Sequence, residues 1–148
     1  MELLPILKTA ELFQGLVPEQ LARIAGLAET ETYEADDMIF NQGDAGDKMY
    51  IIGEGQVEIR VKAPDGDSFA ALYLGQGQLF GEMALLDQGR RSASVVAVQD
   101  PTTVFSIPSG AFNDLCQQDT AIGYVIMRNM ALDLSFKLRH RNFDPAAG

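Results

Sequence analysis

The feature that most constrains the fold is a series of short apolar stretches separated by turn residues across the middle of the chain. Between residues 29 and 107, Gly and Asp recur about every 8–12 residues, a spacing typical of a sandwich or barrel. The clearest stretch is 57–62, where Val and Ile alternate with charged side chains, while 49–52 is continuously apolar. We therefore predict a mainly β unit, with 57–62 half-buried and 49–52 buried on both faces.

The same pattern predicts the other strands and one hairpin turn. Further short strands are expected at 30–34, 38–40, 69–74, 92–98 and 102–107. Pro64-Asp65-Gly66-Asp67 has the composition of a hairpin turn. No repeat or low-complexity segment interrupts the chain, so one domain is expected over 1–148.

Helical periodicity flanks the β region on both sides. Residues 1–28 are predicted to form short helices, and Pro18 is well placed to start one of them. Toward the other end, helices are expected over 109–142, followed by a disordered tail at 143–148. Ser109 is predicted to cap a short helix that runs to Gln117.

A long helix is predicted from Asp119 or Thr120, one of which caps it, to about Asn142. Its apolar residues occupy two sectors, which consist of Ile122, Ile126, Met130, Leu134 and Leu138 in one and Val125, Leu132 and Phe136 in the other. A helix with two apolar sectors needs two partners. We expect the β unit to cover one sector, and leave open whether a second subunit, an intramolecular lid contact or ordinary core packing covers the other.

Charge and composition exclude several functions. The chain has 21 Asp and Glu against 11 Lys and Arg, a formal net charge of −10, so nucleic acids and anionic membranes should repel it. Its one cysteine, Cys116, and one histidine, His140, are too few for a disulfide, a closed zinc site or an iron–sulfur cluster. With no apolar span and no signal peptide in view, we expect a cytoplasmic chain that needs no metal or bound cofactor.

One segment between two predicted strands carries recognisable chemistry. Gly81 is expected to open a short helical turn through Leu86, whose free N–H groups attract anions. Arg91 follows with a planar fork of donors suited to a phosphate, and Glu82 can accept hydrogen bonds from a hydroxyl. This arrangement suits a phosphate next to a sugar. The alternative is a surface loop with an Arg–Glu ion pair worth under ~1 kcal/mol.

The segment resembles the phosphate-binding cassette of cyclic nucleotide-binding domains. The residues that match the cassette pattern are Phe80, Gly81, Glu82, Ala84, Leu85, Arg91, Ser92 and Ala93. Upstream, residues 43–57 are similar to the family's second motif, a G-D…Y-I-I…G-x-V run. The resemblance covers about residues 10–142. It implies a double-stranded β-helix, a jelly-roll-like β-roll at 29–107, with N-terminal helices, a short cassette helix and a long C-terminal helix.

The resemblance also implies roles for individual residues. Arg91 would pair with the exocyclic phosphate oxygens and Glu82 would accept from the ribose 2′-hydroxyl. Ser92 holds a position where Thr accompanies cGMP preference, although Ser is also found in bacterial cAMP-responsive regulators, so cAMP is favoured.

The remaining expectations concern the rest of the site. The predicted ligand-binding residues also include Phe80, Met83 and Ala93, together with the backbone N–H groups of Gly81, Glu82 and Ala84. Met83 and Leu86 are nevertheless expected to contribute mainly to the core, and Arg90 to be a solvated charge. Val61 and Leu74 are candidates for the base pocket or plain core. Phe136, Lys137 and Arg139 are candidates to cap the base.

The resemblance points to a regulatory module rather than an enzyme. We expect cyclic nucleotide, cAMP more than cGMP, to shift the C-terminal helix and its contacts with an effector that the sequence does not identify, and a homodimer through that helix is a further expectation. Unlike the transcription factors of the family, the chain has no residues after Asn142 for a helix-turn-helix domain. The alternative is a ligand-free interaction or dimerisation module of the same fold. A cupin-type enzyme is disfavoured because it needs several His ligands.

Overall fold

The computed structural model describes residues 2–62, 68–87 and 89–142. The hairpin turn predicted at Pro64–Asp67 and the tail predicted at 143–148 lie outside these residues. In the part that is described, no helix is both long enough and apolar enough to cross a membrane.

The N-terminal segment folds into three short helical pieces. They are α1 (Leu4–Leu7), a 3₁₀ helix (Glu11–Phe13) and α2 (Pro18–Ala25). Pro18 is the first residue of α2, as predicted, because a missing N–H costs nothing at that position. The side chain of Gln20 accepts the N–H of Val17 at 2.9 Å and satisfies one group that precedes the helix.

Within the described residues eight strands follow, and the predicted mainly β unit with flanking helices is confirmed. They are β1 (Glu29–Tyr33), β2 (Met38–Phe40), β3 (Lys48–Glu54), β4 (Val57–Lys62), β5 (Ser68–Leu74), β6 (Leu79–Phe80), β7 (Ser94–Ala97) and β8 (Thr102–Pro108). The two-residue strand β6 was not predicted, because so short a strand has no detectable alternation. Strand β7 begins later than the predicted 92–98, at the point where Ser94 pairs with Arg60 of β4.

The strands form two four-stranded antiparallel sheets, in the orders β1-β8-β3-β6 and β2-β7-β4-β5. The sheets enclose an apolar cluster, here called the roll-interior cluster, which consists of Tyr50, Ile52, Val57, Phe80, Val95 and Val104. This is the predicted jelly-roll-like β-roll. In β4, Glu58 is 9% exposed rather than solvated as strict alternation predicts, because it holds the side chain of neighbouring Arg60.

The helices cover the outer face of the β1-β8-β3-β6 sheet. A second and larger cluster fills this interface, here called the helix-side cluster, and its buried members are Leu3, Leu7, Ala10, Phe13, Leu21, Ile24, Met49, Ile51, Leu85, Phe105, Ile107, Phe112, Leu115, Ile122, Ile126 and Met130. Met49 and Ile51 face the helices, whereas Tyr50 and Ile52 face the roll interior. The prediction that 49–52 is buried on both faces is therefore confirmed.

The described residues end with two helices, α3 (Ser109–Gln118) and α4 (Thr120–Asn142). Asp119 caps α4, since its carboxylate accepts the N–H groups of Ala121 and Ile122 at 3.1 and 3.3 Å. The predicted cap by Ser109 is wrong. Pro108 occupies the N-cap position, and Ser109 is the first helical residue, with its N–H bound to the carbonyl of Asp47 at 2.9 Å.

The two halves of α4 differ in burial. Ile122, Ile126 and Met130 are buried in the helix-side cluster, but every residue from 131 to 140 is exposed. The predicted continuous stripe therefore ends at Met130, and Leu138 is 59% exposed. The helix simply extends beyond the surface that covers its first half.

Side chains of α4 also fasten the N-terminal segment. The amide of Asn129 donates to the carbonyls of Leu12 and Gln14 at 2.8 and 2.9 Å. At the start of the helix, the Arg23 guanidinium of α2 pairs with the Asp119 carboxylate at 2.7 Å. The helices from the two ends of the chain thus form one layer.

Candidate functional site

A cavity of about 600 Å³ opens at the mouth of the roll. All eight predicted site residues line it: Phe80, Gly81, Glu82, Met83, Ala84, Arg91, Ser92 and Ala93. The lining also includes residues from five strands, the loop before β3 and helix α4. Segments that are far apart in the chain therefore meet around one concave surface.

The cavity wall begins where β6 turns into a four-residue 3₁₀ helix, Glu82–Leu85, here called the cassette helix. Gly81 makes this turn with φ 73°, a conformation that other residues rarely adopt. A Cβ at Gly81 would also lie 2.7 Å from Nη1 of Arg91. Glycine is therefore required here twice, for the backbone and for the close approach of the arginine.

The helix dipole contributes less than the sequence suggested. The cassette helix has one short turn, and the N–H of Ala84 already donates to the carbonyl of Gly81 at 3.2 Å. A full macrodipole needs several aligned turns of peptide groups. The positive charge that faces the cavity comes mainly from Arg91.

Arg91 is 8% exposed, which is unusual for an arginine without an acidic partner. Its Nη2 donates to the carbonyl of Lys48 at 2.8 Å and its Nη1 to the carbonyl of Gly81 at 3.3 Å. Its Nε is buried and has no hydrogen-bond partner within the described ranges. No ion pair to Arg91 forms there either, so the alternative of a surface Arg–Glu pair is not what the structure shows. A buried cation in this state favours the arrival of an anion.

The backbone of Arg91 is held by the upstream motif. The N–H of Gly43 donates to the carbonyl of Arg91 at 2.8 Å, and the N–H of Arg91 donates to that of Asp44 at 2.7 Å. The N–H of Gly46 donates to the carbonyl of Gly89 at 2.8 Å, and a Cβ at Gly46 would meet that oxygen at 2.7 Å. Backbone hydrogen bonds therefore hold the two sequence motifs next to each other in the fold.

Glu82 and Lys137 both line the cavity. Glu82 belongs to the cassette helix, and Lys137 extends from the exposed half of α4. The hydrogen bond from Lys137 to Asp133, at 2.8 Å, raises the pKa of Lys137, and the charge of Glu82 adds to this effect. The mouth therefore carries a carboxylate and a fully protonated amine.

Apolar and aromatic side chains form the inner walls. They are Phe40, Ile59, Leu72, Leu74, Leu79, Phe80 and Val95. Of the two predicted base-pocket candidates, Leu74 lines the cavity and Val61 does not. Val61 lies on β4 two residues after Ile59, which takes its place in the lining. Ile59 shares the inward face of β4 with Val57, so the alternation was the signal that would have identified it. Beneath the wall, Tyr50 stacks on Phe80 at 4.8 Å, and burial raises the pKa of Tyr50.

Several predictions for neighbouring residues are corrected. Met83 and Leu86, expected to be core, are 48% and 44% exposed, because the cassette helix presents only Ala84 and Leu85 to the interior. Arg90 is exposed as predicted, but its Nη1 donates to the carbonyl of Gly43 at 2.8 Å and it lies on the cavity rim.

The three candidates for capping the base lie in different surroundings. Lys137 lines the cavity. Phe136 is exposed, makes a tilted contact with His140 at 3.9 Å between ring centroids, and lines an adjoining groove of about 890 Å³ between α4 and the cassette helix. Arg139 is exposed and lines neither space. Lys137 is therefore the candidate that the geometry retains.

Comparisons with known proteins agree with one another on the family. The family model described as "Cyclic nucleotide-binding domain" matches residues 30–119. The "Cyclic AMP receptor protein" of Thermus thermophilus is 40% identical over 94 residues, which are 64% of this chain and 44% of that protein. Isozyme 1 of the "cGMP-dependent protein kinase" of Drosophila melanogaster is 32% identical over 117 residues, which are 75% of this chain and 15% of the kinase.

A solved structure supports the same relationship. The N-terminal domain of a transcriptional regulator from Streptomyces coelicolor A3(2) superposes with a TM-score of 0.82 at 26% identity, and the match covers 89% of this chain and 94% of that one. The chain spans less than half the length of the two curated relatives above.

Proposed function

Since this chain belongs to the cyclic nucleotide-binding domain family, we propose that the roll cavity binds a cyclic nucleotide, with cAMP preferred over cGMP, and that the chain is a regulatory module without catalytic activity. The observation that carries the proposal is the buried guanidinium of Arg91 at the cavity wall, which among the described residues has no acidic partner and no hydrogen bond from its Nε. A cyclic phosphate supplies the missing anion, and a guanidinium binds phosphate oxygens through parallel N–H donors.

The other parts of the ligand have matching surfaces. Glu82 stands on the same turn as Gly81, beside Arg91, and its carboxylate accepts the ribose 2′-hydroxyl. The purine lies against Ile59, Leu72 and Leu74, which provide an apolar wall of the kind that buries a flat ring. A phosphate site, a hydroxyl acceptor and an apolar wall occur in the order in which a cyclic nucleotide carries its groups.

The preference for cAMP rests on two features. Among the described residues the purine wall is apolar, with no carboxylate or amide that would bind the extra amino group of guanine in preference to adenine. Ser92 is exposed at the rim, where water competes with the base for hydrogen bonds to its hydroxyl. Among the two curated relatives described, the one named for cyclic AMP has the higher identity.

Binding is proposed to act by shifting the position of α4. The exposed half of this helix brings Lys137 to the cavity mouth, while its buried half packs in the helix-side cluster with Leu85 of the cassette helix. A ligand that prefers one arrangement of the cassette therefore also biases the helix. Moving a population from 1:99 to 99:1 requires about 10⁴-fold differential affinity, or ~5.5 kcal/mol.

Isothermal titration with cAMP and then cGMP, in one buffer, tests the proposal. Wild-type protein is expected to bind cAMP at about micromolar concentration or tighter. Arg91→Ala should weaken binding by about a hundredfold or more, because the buried phosphate loses its partner. Arg139→Ala, at an exposed arginine that lines neither space, serves as the control and should change Kd by no more than about threefold. A folded, nucleotide-free wild type that gives no heat with either ligand would favour a ligand-free interaction module of the same fold.

A second copy of the chain is the proposed partner of the exposed half of α4. Leu132, Phe136 and Leu138 are 52%, 61% and 59% exposed on this segment, and clustered apolar exposure marks interaction surfaces. Sedimentation equilibrium should give twice the mass of 16.1 kDa, and Leu138→Asp should return the monomer mass. A monomer at high concentration, both with and without nucleotide, would assign these side chains to an intramolecular lid.

A further inference from the structure

The guanidinium of Arg91 lies on the face of an aromatic ring. Its Cζ atom is 4.1 Å from the ring centroid of Phe40 and 5.7 Å from that of Tyr50. The rings of Phe40, Tyr50 and Phe80 contact one another, with centroids 4.8 to 5.9 Å apart. Phe40 lies outside both motifs of the sequence, at the end of the short strand β2.

We propose that Phe40 is a positioning residue for ligand binding, and that its ring face holds the Arg91 guanidinium in its orientation at the cavity wall. The inference rests on the proposed function, since it concerns the group that receives the phosphate. Phe40 is assigned no contact with the chemistry of the ligand itself. It acts through Arg91.

The need for such a support follows from the burial of Arg91. A buried cation is destabilising unless other groups compensate for its lost hydration. A carboxylate would compensate fully but would compete with the incoming phosphate for the same N–H donors. The negative face of an aromatic ring attracts the cation and occupies none of those donors. The ring therefore stabilises the buried guanidinium without occupying its N–H donors.

Three constraints together define the orientation of the guanidinium. The carbonyls of Lys48 and Gly81 accept from its two terminal nitrogens and fix the direction of the fork. The ring of Phe40 fixes its plane. Phe40 is held in turn because β2 pairs with β7, where Phe40 faces Val95 just beyond the arginine. The short strand thus ties the ring and the guanidinium to the same backbone.

The competing explanation is that Phe40 only fills space in the roll, since it also packs on the roll-interior cluster. Fluorinated phenylalanines separate the two explanations because they keep the shape of the ring and weaken its negative face. With one, two and three fluorines at position 40, the Kd for cAMP should rise stepwise, to about tenfold for three. The same series at Phe13, which is buried in the helix-side cluster, is the control and should leave Kd unchanged.

Conventional substitutions at position 40 provide a second test of the positioning role. Phe40→Leu keeps an apolar side chain but removes the ring face, so it should weaken cAMP binding about tenfold, and Phe40→Tyr should restore binding to near the wild-type value. Equal affinity across the fluorinated series, in a wild type that binds cAMP, would overturn the positioning role and leave the proposed function intact.

A measurement without ligand tests the contact between Phe40 and Arg91 independently of the proposed function. Thermal unfolding is compared for fluorinated position 40 in the wild-type and Arg91→Met backgrounds. Fluorination should lower Tm when Arg91 is present and should not when it is absent. If wild type binds no cyclic nucleotide, the proposed function and the positioning role both fail, and this cycle then shows whether the contact is purely structural. If Tm is unaffected in both backgrounds, the cation–π contact itself is refuted.

Discussion

The two apolar clusters lie on opposite faces of one sheet, yet only one of them is closed. On β3, Met49 and Ile51 face the helix-side cluster, and Tyr50 and Ile52 face the roll-interior cluster. The first is sealed by helices from both ends of the chain. The second leaves half-buried side chains such as Ile59 and Leu74 lining a cavity. The difference shows how alternation in a single strand can serve stability on one face and leave the other face incomplete for a ligand.

The largest effect is expected from a cavity made in the closed cluster. Phe112 on α3 is fully buried there, and Phe112→Ala should lower the free energy of unfolding by about 3–5 kcal/mol. Chemical denaturation measures this loss. In the protein that remains folded, titration with cAMP should give a Kd within about threefold of wild type, because Phe112 does not line the cavity. A tenfold change in Kd would show that the two clusters are not separable.

Gly81 lies where the two clusters meet, and Gly81→Ala should weaken ligand binding more than it lowers the stability of the fold. The positive φ and the contact with Arg91 predict a loss of about 1–2 kcal/mol in the free energy of unfolding and at least tenfold weaker binding of cAMP. Gly110→Ala on α3 is the matched control, since a Cβ there meets nothing within 4 Å. The control should be neutral or slightly stabilising by denaturation. Unchanged binding in Gly81→Ala would mean that Arg91 has more room than the structure shows.

A half-buried leucine from each cluster gives the sharpest comparison. Leu74→Ala should cost about 1 kcal/mol in stability and weaken binding about fivefold, since the side chain is part of the proposed purine wall. Leu16→Ala removes a similar side chain that packs on the helix-side cluster, so it should cost similar stability without affecting Kd. Both quantities come from paired denaturation and titration experiments. Equal effects on Kd would contradict the assignment of the wall.

The smallest effect concerns a polar group at the edge of the sheet. Burial opposes ionisation of Glu31, but hydrogen bonds from Ser106 and Tyr33 and the charge of Lys48 outweigh it and lower the pKa of Glu31 below 4.5. A lowered pKa in the folded state stabilises the fold above the unfolded value, and this contribution is lost as the pH falls through the folded value.

Glu31→Gln should therefore destabilise the protein near pH 7 by less than about 1 kcal/mol, because the group is partly exposed. Urea unfolding followed by circular dichroism should show that the difference from wild type shrinks as the pH is lowered below 4.5. A difference that is constant with pH would assign the effect to packing instead.

Much of this architecture is readable from local patterns. Strand β4 and the buried run in β3 are visible as alternation, and the cassette is recognisable because glycine, glutamate and arginine must stand at fixed positions around one turn. What escaped prediction depends on tertiary contacts. The exposure of Leu138 depends on where the rest of the protein ends, and the capping error at Ser109 arose because Pro108 and a carbonyl from another loop determine the helix start. Phe40 carries no motif, and only the folded chain places its ring on Arg91.

The hydrogen bonds from Asn129 to the carbonyls of Leu12 and Gln14 have a consequence for how the protein is made. They join positions 117 and 115 residues apart, so during synthesis the N-terminal helices emerge long before their partner does. Closing so long a loop costs entropy that only the completed helix-side cluster repays. Until α4 leaves the ribosome, the outer face of the β1-β8-β3-β6 sheet lacks part of its helical cover and is open to aggregation. Translation of the last third of the chain is therefore the period in which chaperone protection matters most.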